Sequence, residues 1–123
     1  MNSTLNTIVD NFTNLSELSL VECEEITDVS ILGKLKILDL SETEIEDVSA
    51  LSGVHTLYLN NCPNISDVSS LVNVKKLYLL GSEDINDVSM LVNAEELDIT
   101  GLYIEDDVIN NLKRKVGKLI KKF

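Results

Sequence analysis

Residues 1–107 contain little positive charge. All 21 Asp and Glu residues of the 123-residue chain lie in this part. Only four cations oppose them: Lys34, Lys36, Lys75 and Lys76. Residues 1–107 therefore have a formal charge of −17, whereas residues 108–123 hold six Lys and Arg residues and no acidic residue. Because an acidic body repels phosphate backbones, nucleic-acid binding is not expected.

The sequence also lacks long apolar runs. Nowhere do about eighteen apolar residues occur together, which is the length that a membrane-spanning helix needs. The first twelve residues, MNSTLNTIVDNF, have neither a basic start nor an apolar segment of the kind found in secretion signals. We therefore expect a soluble cytoplasmic protein, with one continuous core for a chain of this length.

Cysteine, histidine and catalytic motifs are scarce. Two cysteines, Cys23 and Cys62, do not suggest a disulfide framework. The single histidine, His55, has no convincing triad around it, and adjacent acidic pairs are interpreted as solvated charge. The sequence has no GxSxG, P-loop, GxGxxG or metal-ligand motif. It therefore predicts neither an enzyme nor a cofactor.

The chain does contain a repeat of about 20 residues. Five units begin at Leu15, Leu35, Val54, Val74 and Ala94. Their opening segments are LSELSLVEC, LKILDLSET, VHTLYLNNC, VKKLYLLGS and AEELDITGL, with an aliphatic residue at the first, fourth and sixth positions of each. A second phrase follows in the first four units: ITDVSIL, IEDVSAL, ISDVSSL and INDVSML. This period is typical of a stacked repeat architecture.

Leucines two positions apart predict a short strand in each unit, because alternate side chains of a strand face the same side. Such a strand cannot cover its own apolar face. We expect the DVSxL phrase to curl back behind it and close one coil per unit. Identical coils then stack into a continuous apolar core, with parallel strands about 4.8 Å apart.

The ninth position of the unit is predicted to turn inward, where backbone groups need local partners. The first four units place small polar residues there: Cys23, Thr43, Cys62 and Ser82. Leu102 breaks this column in the fifth unit. Two coils separate Cys23 from Cys62, roughly 9 to 10 Å, which is too far for a disulfide. Both are predicted to be reduced, buried thiols.

The pattern LxxLxLxxC followed by IxDVSxLxx resembles the leucine-rich repeat, in the short form of the internalin and SDS22-like subclass, over about residues 15–105. The resemblance implies an α/β solenoid: a right-handed superhelix of about five repeats with a parallel sheet on its concave face. It also implies a protein-interaction module. A looser likeness to SDS22-type regulators gives the alternative, a regulatory subunit of a phosphatase-like enzyme.

An open stack exposes its core at both ends and needs caps. Residues 1–14 are predicted to form a short capping helix, because apolar residues recur at helical spacing from Leu5 to Phe12. Residues 106–123 are predicted to form a basic amphipathic capping helix. Contact of this helix with a membrane surface is the less favoured interpretation, because capping already occupies its apolar stripe.

Strand side chains that point away from the core are the candidate partner-binding residues: Asp39, Tyr58, Asn60, Lys76, Tyr78, Leu80 and Asp98. Tyr58 and Tyr78 are expected to lie side by side, and tyrosines are common in binding hot spots. The alternative is that they only pack together and stabilise the sheet. The predicted partner is a protein or peptide with a basic surface, and the predicted state is a monomer.

An aspartate column precedes the VSxL segments: Asp28, Asp47, Asp67 and Asp87. Regularly spaced carboxylates suggest a calcium ladder. Capping of the following turn is the favoured interpretation, because the sequence lacks the glycine-rich loop of calcium-binding repeats. No metal site is predicted.

Overall fold

The computed structural model describes residues 16–23, 25–26 and 29–122. Six strands of three residues each follow one another in these ranges: β1 (Glu17–Ser19), β2 (Ile37–Asp39), β3 (Thr56–Tyr58), β4 (Lys76–Tyr78), β5 (Glu96–Asp98) and β6 (Lys118–Ile120). The same ranges contain two 3-10 helices, Ser49–Leu51 and Ser69–Leu71, and one α-helix, α1, Asp106–Lys115. The predicted N-terminal cap over residues 1–14 lies outside the described residues.

The six strands form one parallel sheet in the order of the sequence, β1 to β6. Equivalent positions of successive units pair with each other, as Leu38 does with Leu57 and Leu57 with Leu77. Each unit therefore contributes one coil that returns its chain to the next strand. This confirms the predicted solenoid with a parallel sheet.

The apolar positions of the units line up in a dry core. Side chains at the sixth position are fully buried from the second unit onward: Leu40, Leu59, Leu79 and Ile99, each 0% exposed. Leu18 and Leu20 of the first unit are half-buried and pack against this cluster. The DVSxL phrases of the second, third and fourth units add buried valines and leucines to this core: Val48, Leu51, Val68, Leu71, Val88 and Leu91. Burying a leucine side chain contributes roughly 1.5 to 3 kcal/mol, so the aligned leucines are the main source of stability.

The turn after each strand has a left-handed residue at the eighth position of the unit. The φ angles there are positive in all five units: Glu22 (63°), Glu42 (62°), Asn61 (56°), Gly81 (72°) and Gly101 (83°). Asparagine and glycine adopt this conformation readily, whereas a glutamate pays about 1 kcal/mol of steric strain. The first two units therefore keep a strained residue where the later units do not.

The polar ninth position satisfies buried backbone groups, as predicted. The hydroxyl of Thr43 donates to the carbonyl of Leu40 at 2.7 Å, and that of Ser82 donates to the carbonyl of Leu59 at 2.6 Å. Ser82 Oγ also accepts the backbone N–H of Cys62 at 2.9 Å, which links two successive coils. Both hydroxyl side chains are completely buried.

The two thiols differ in their exposure. Both are free, and Cys62 is fully buried, with its Sγ donating to the carbonyl of Leu40 at 3.2 Å. Burial raises the pKa of the Cys62 thiol, although hydrogen bonds from the Thr43 region oppose this effect. The prediction that both are buried is wrong for Cys23, which is half-buried. Cys23 belongs to the first unit, where the leucines are half-buried as well.

The aspartate column caps turns, as predicted, at the three positions that the structure describes. Asp47, Asp67 and Asp87 each accept the backbone N–H of the serine two residues later, at 2.9 to 3.0 Å. These serine hydrogen bonds lower the pKa of all three carboxyl groups. Asp28 lies outside the described residues.

The C-terminal segment differs from the prediction of one helix over residues 106–123. Helix α1 ends at Lys115, and Val116 has extended backbone angles (φ −80°, ψ 144°). Lys118–Ile120 then form β6, which pairs with β5 in register. Glycine at position 117 permits this approach, because a Cβ there would lie 2.6 Å from the carbonyl oxygen of Glu95. The prediction of helix beyond Lys115 is therefore wrong.

Helix α1 packs on the last coil through Ile109 and Leu112, which are 7% and 0% exposed. Acidic residues lie in its first turn and basic residues in its last, an arrangement that suits the helix dipole. No helix in the described part of the chain is long and apolar enough to cross a membrane. Helix α1 and β6 together cover this end of the core.

We expect Glu42→Gly to raise the free energy of unfolding by about 0.5 kcal/mol, because released strain exceeds the extra entropy of the unfolded chain. The matched control is Glu46→Gly, an exposed position without a positive φ, which should lower stability by about 0.5 to 1 kcal/mol. Urea denaturation followed by circular dichroism measures both. Equal losses of unfolding free energy in the two variants would show that the backbone at Glu42 is not strained.

We expect Ser82→Ala to lower the free energy of unfolding by about 1 to 3 kcal/mol, because it leaves two buried backbone groups without their partner. Ser89→Ala is the control, since that exposed hydroxyl bonds only to Asp87. The control should change stability by less than about 0.5 kcal/mol. A similar loss in both variants would show that the buried hydroxyl has no special role.

Candidate binding face

Side chains at the third, fifth and seventh positions of the units project from the sheet on the side opposite the leucine core. We call this side the concave face. The predicted site residues all lie on it: Lys76 at the third position, Asp39, Tyr58, Tyr78 and Asp98 at the fifth, and Asn60 and Leu80 at the seventh. They are half-buried, except for Leu80, which is 37% exposed. The fold therefore brings the predicted residues onto one surface.

Four fifth-position residues form a row across the sheet, which we call the central row: Asp39, Tyr58, Tyr78 and Asp98. Each pairs directly with the next in the strand register. The rings of Tyr58 and Tyr78 stack with centroids 4.5 Å apart and planes 10° from parallel. Their predicted adjacency is confirmed. Two carboxylates thus flank an aromatic pair.

The Tyr78 ring is held by a hydrogen bond to β5. Its hydroxyl donates to the Glu96 carboxylate. Burial, followed by this hydrogen bond to a negative group, raises the pKa of Tyr78 well above its usual value. The same bond lowers the pKa of Glu96, and the positive charges of Lys76 and Lys118 lower it further. Glu96 therefore already has a hydrogen-bond donor within the face.

Sequence reasoning did not select Glu96 as a site residue. The strand register nevertheless places the two residues close together. Asp98 is the register partner of Tyr78 on the next strand, and Glu96 lies two residues before Asp98. A diagonal neighbour on the same face is within reach of a long side chain.

Backbone amides orient the carboxylates of Asp39 and Asp98. Asp39 Oδ1 accepts the backbone N–H of Ser41, and Asp98 Oδ1 accepts that of Thr100, both at 2.9 Å. Within the part of the chain that the structure describes, neither carboxylate has a cationic side chain as an ion-pair partner. Each therefore presents an oriented negative charge that a binding partner can use.

Polar side chains at the seventh position hold the strand ends together. Ser41 Oγ accepts the backbone N–H of Asn60 at 3.1 Å, and Asn60 Oδ1 accepts that of Leu80 at 3.0 Å. Asn60 therefore connects its own coil to both neighbouring coils, to one through its backbone and to the other through its side chain. The concave face is rigid at this edge, because each coil is hydrogen-bonded to the next.

No protein-family model and no curated protein sequence matches the chain. Solved structures with a similar fold include internalins of Listeria monocytogenes. Internalin C2 is 30% identical, with a TM-score of 0.65 over 88% of this chain and 52% of its own. Internalin F is 26% identical, with a TM-score of 0.61 over 78% of this chain and 32% of its own.

A third similar structure is the functional domain of InlJ from the same organism, which includes a cysteine ladder. It is 25% identical, with a TM-score of 0.60 over 79% of this chain and 22% of its own. The chain thus spans between 22% and 52% of the length of these three proteins. The repeat, the parallel sheet and these likenesses agree, and the chain is a leucine-rich repeat protein similar to the internalins.

Proposed function

We propose that the chain is a protein-interaction module whose concave face binds a protein or peptide with a basic surface. The observation that carries this proposal is the central row, in which stacked tyrosines lie between two oriented carboxylates. Tyrosine combines a large apolar area with a polar end, and such residues contribute strongly to protein interfaces.

The rigidity of the concave face supports this proposal. The two rings stack on each other, and one is tied to Glu96, so little side-chain freedom is left to lose on binding. Hydrogen bonds between successive coils fix the backbone beneath them. Because ordering costs oppose association, a preorganised surface binds more tightly than a flexible one of the same composition.

The charge of the chain supports a basic partner. Residues 1–107 carry a formal charge of −17, and two of their carboxylates lie at the ends of the aromatic pair. Opposite charge on a partner would accelerate encounter and orient it on the face. This attraction would weaken at high salt, because ions screen exposed charges.

No observation favours the phosphatase-regulator alternative, since the three solved structures described above are internalins. A cytoplasmic location is also a proposal. The two free thiols support it, because they suit a reducing compartment.

We expect Tyr58→Ala and Tyr78→Ala each to weaken capture of the cellular partner by about 2 kcal/mol, roughly thirtyfold, because hot-spot tyrosines lose their contact area. The matched control is Tyr103→Ala, which removes a tyrosine that is 90% exposed and lies outside the concave face. Affinity capture from native cells, followed by quantitative binding of the recovered partner, measures the change.

Thermal unfolding of the same variants separates binding from packing. Unchanged capture together with a lowered melting temperature would show that Tyr58 and Tyr78 serve only the stability of the sheet.

A further inference from the structure

The central row has a defined length. It crosses from β2 to β5, and strands of a sheet lie about 4.8 Å apart, so Asp39 and Asp98 are separated by about 14 Å. The tyrosine pair occupies the middle of this distance. The face therefore presents three features in a line: a carboxylate, an aromatic surface and a second carboxylate.

The two carboxylates of the row differ from the other acidic group beside the tyrosines. Glu96 already accepts the Tyr78 hydroxyl and lies near Lys76 and Lys118, which stabilise its charge. Asp39 and Asp98 have only backbone amides as partners among the described residues. In each case the amide engages Oδ1 and orients the carboxylate on the concave face. Two cation-binding positions result.

The distance of about 14 Å between Asp39 and Asp98 favours one backbone conformation of the partner. In an extended segment, residues four apart lie about 13 Å from each other and on the same face. In an α-helix, residues on one face lie about 10.5 Å apart at a spacing of seven and about 16.5 Å apart at a spacing of eleven. The extended segment therefore matches both the length and the direction of the row.

We propose that the concave face recognises an extended peptide segment with arginine or lysine at two positions four residues apart and an apolar residue midway between them. This proposal rests on the proposed function, because it assigns the partner chemistry of the same face. The segment runs across the strands, with its basic residues on Asp39 and Asp98. Its middle side chain lies on the Tyr58–Tyr78 pair, beside the exposed Leu80.

Arginine is the better basic residue at both ends. Its planar guanidinium can donate two hydrogen bonds to a carboxylate and can also lie against an aromatic ring. Each carboxylate of the row is the register neighbour of a tyrosine, so one guanidinium reaches both groups. Lysine offers a single charge and should bind more weakly.

The proposal is tested with synthetic peptides and the complete chain. One peptide carries two arginines four residues apart with a leucine midway and serines elsewhere. Comparison peptides of the same composition place the arginines three, seven or eleven residues apart. Titrations followed by backbone amide NMR measure the dissociation constant and show which strands respond.

We expect the four-apart peptide to bind roughly fivefold more tightly than the three-apart peptide, since odd spacing puts the arginines on opposite faces. Asp39→Asn and Asp98→Asn keep the Oδ1 acceptor and remove the charge, so folding is preserved. Each should weaken the four-apart peptide about threefold to fivefold. Asp67→Asn, on a coil turn away from the concave face, is the matched control and should leave binding unchanged.

Equal binding of all spacings, a preference for the seven-apart or eleven-apart peptide, or wild-type affinity in both asparagine variants would overturn the proposal. These results are distinguishable from failure of the proposed function. If the tyrosine variants lose the cellular partner while the peptides show no spacing preference, the face binds a protein but by another pattern. If the tyrosine variants retain that partner, the proposed function itself fails.

Discussion

Burial of each coil by its neighbours is the constraint on which the rest of the structure depends. A strand of three residues with one apolar face has no stability alone, and the second phrase of its own unit covers only part of that face. The next coil covers the remainder, so Leu40, Leu59 and Leu79 become dry only because they are stacked. The outward side chains are aligned because they alternate along the strands with these stacked leucines. Binding geometry and stability therefore have the same origin.

The stack adds local constraints where each strand ends. The chain must turn sharply, which requires a left-handed residue at the eighth position and a buried polar group at the ninth. Ser82 meets the second requirement for the coil before its own, because it donates to Leu59 and accepts from Cys62, which both lie on that coil. Cys62 occupies an equivalent position with a weaker donor. The column holds thiols and hydroxyls in the first four units and a large apolar side chain, Leu102, in the fifth.

Much of the fold could be predicted from the sequence because the steps between units are nearly equal. Equal steps place equivalent positions of successive units side by side. The buried leucine columns and the pairing of Tyr58 with Tyr78 can therefore be predicted from residue spacing alone. The C-terminal end did not follow, because the residues after Lys115 fit both a helical stripe and a repeat opening. VGKLIK does resemble VKKLYL of the fourth unit. The segment pairs with β5 as a strand, and this pairing brings Gly117 close to the Glu95 carbonyl, a contact that sequence patterns do not reveal.

The candidate site was predictable in its membership and less so in its internal chemistry. Alternation along the strands identifies which residues face outward, but the hydroxyl of Tyr78 reaches a carboxylate on the next strand through a particular rotamer. The central row also has a property that concerns how such a surface can change. Since each of its members lies on a different coil, gain or loss of one entire coil between Asp39 and Asp98 would lengthen or shorten the row by a single strand spacing, while the side chains on the other coils stayed the same. A change in the number of coils would therefore change the distance between the two carboxylates. The spacing of ligand groups that the row accepts would change with it, while the individual contacts stayed as they are.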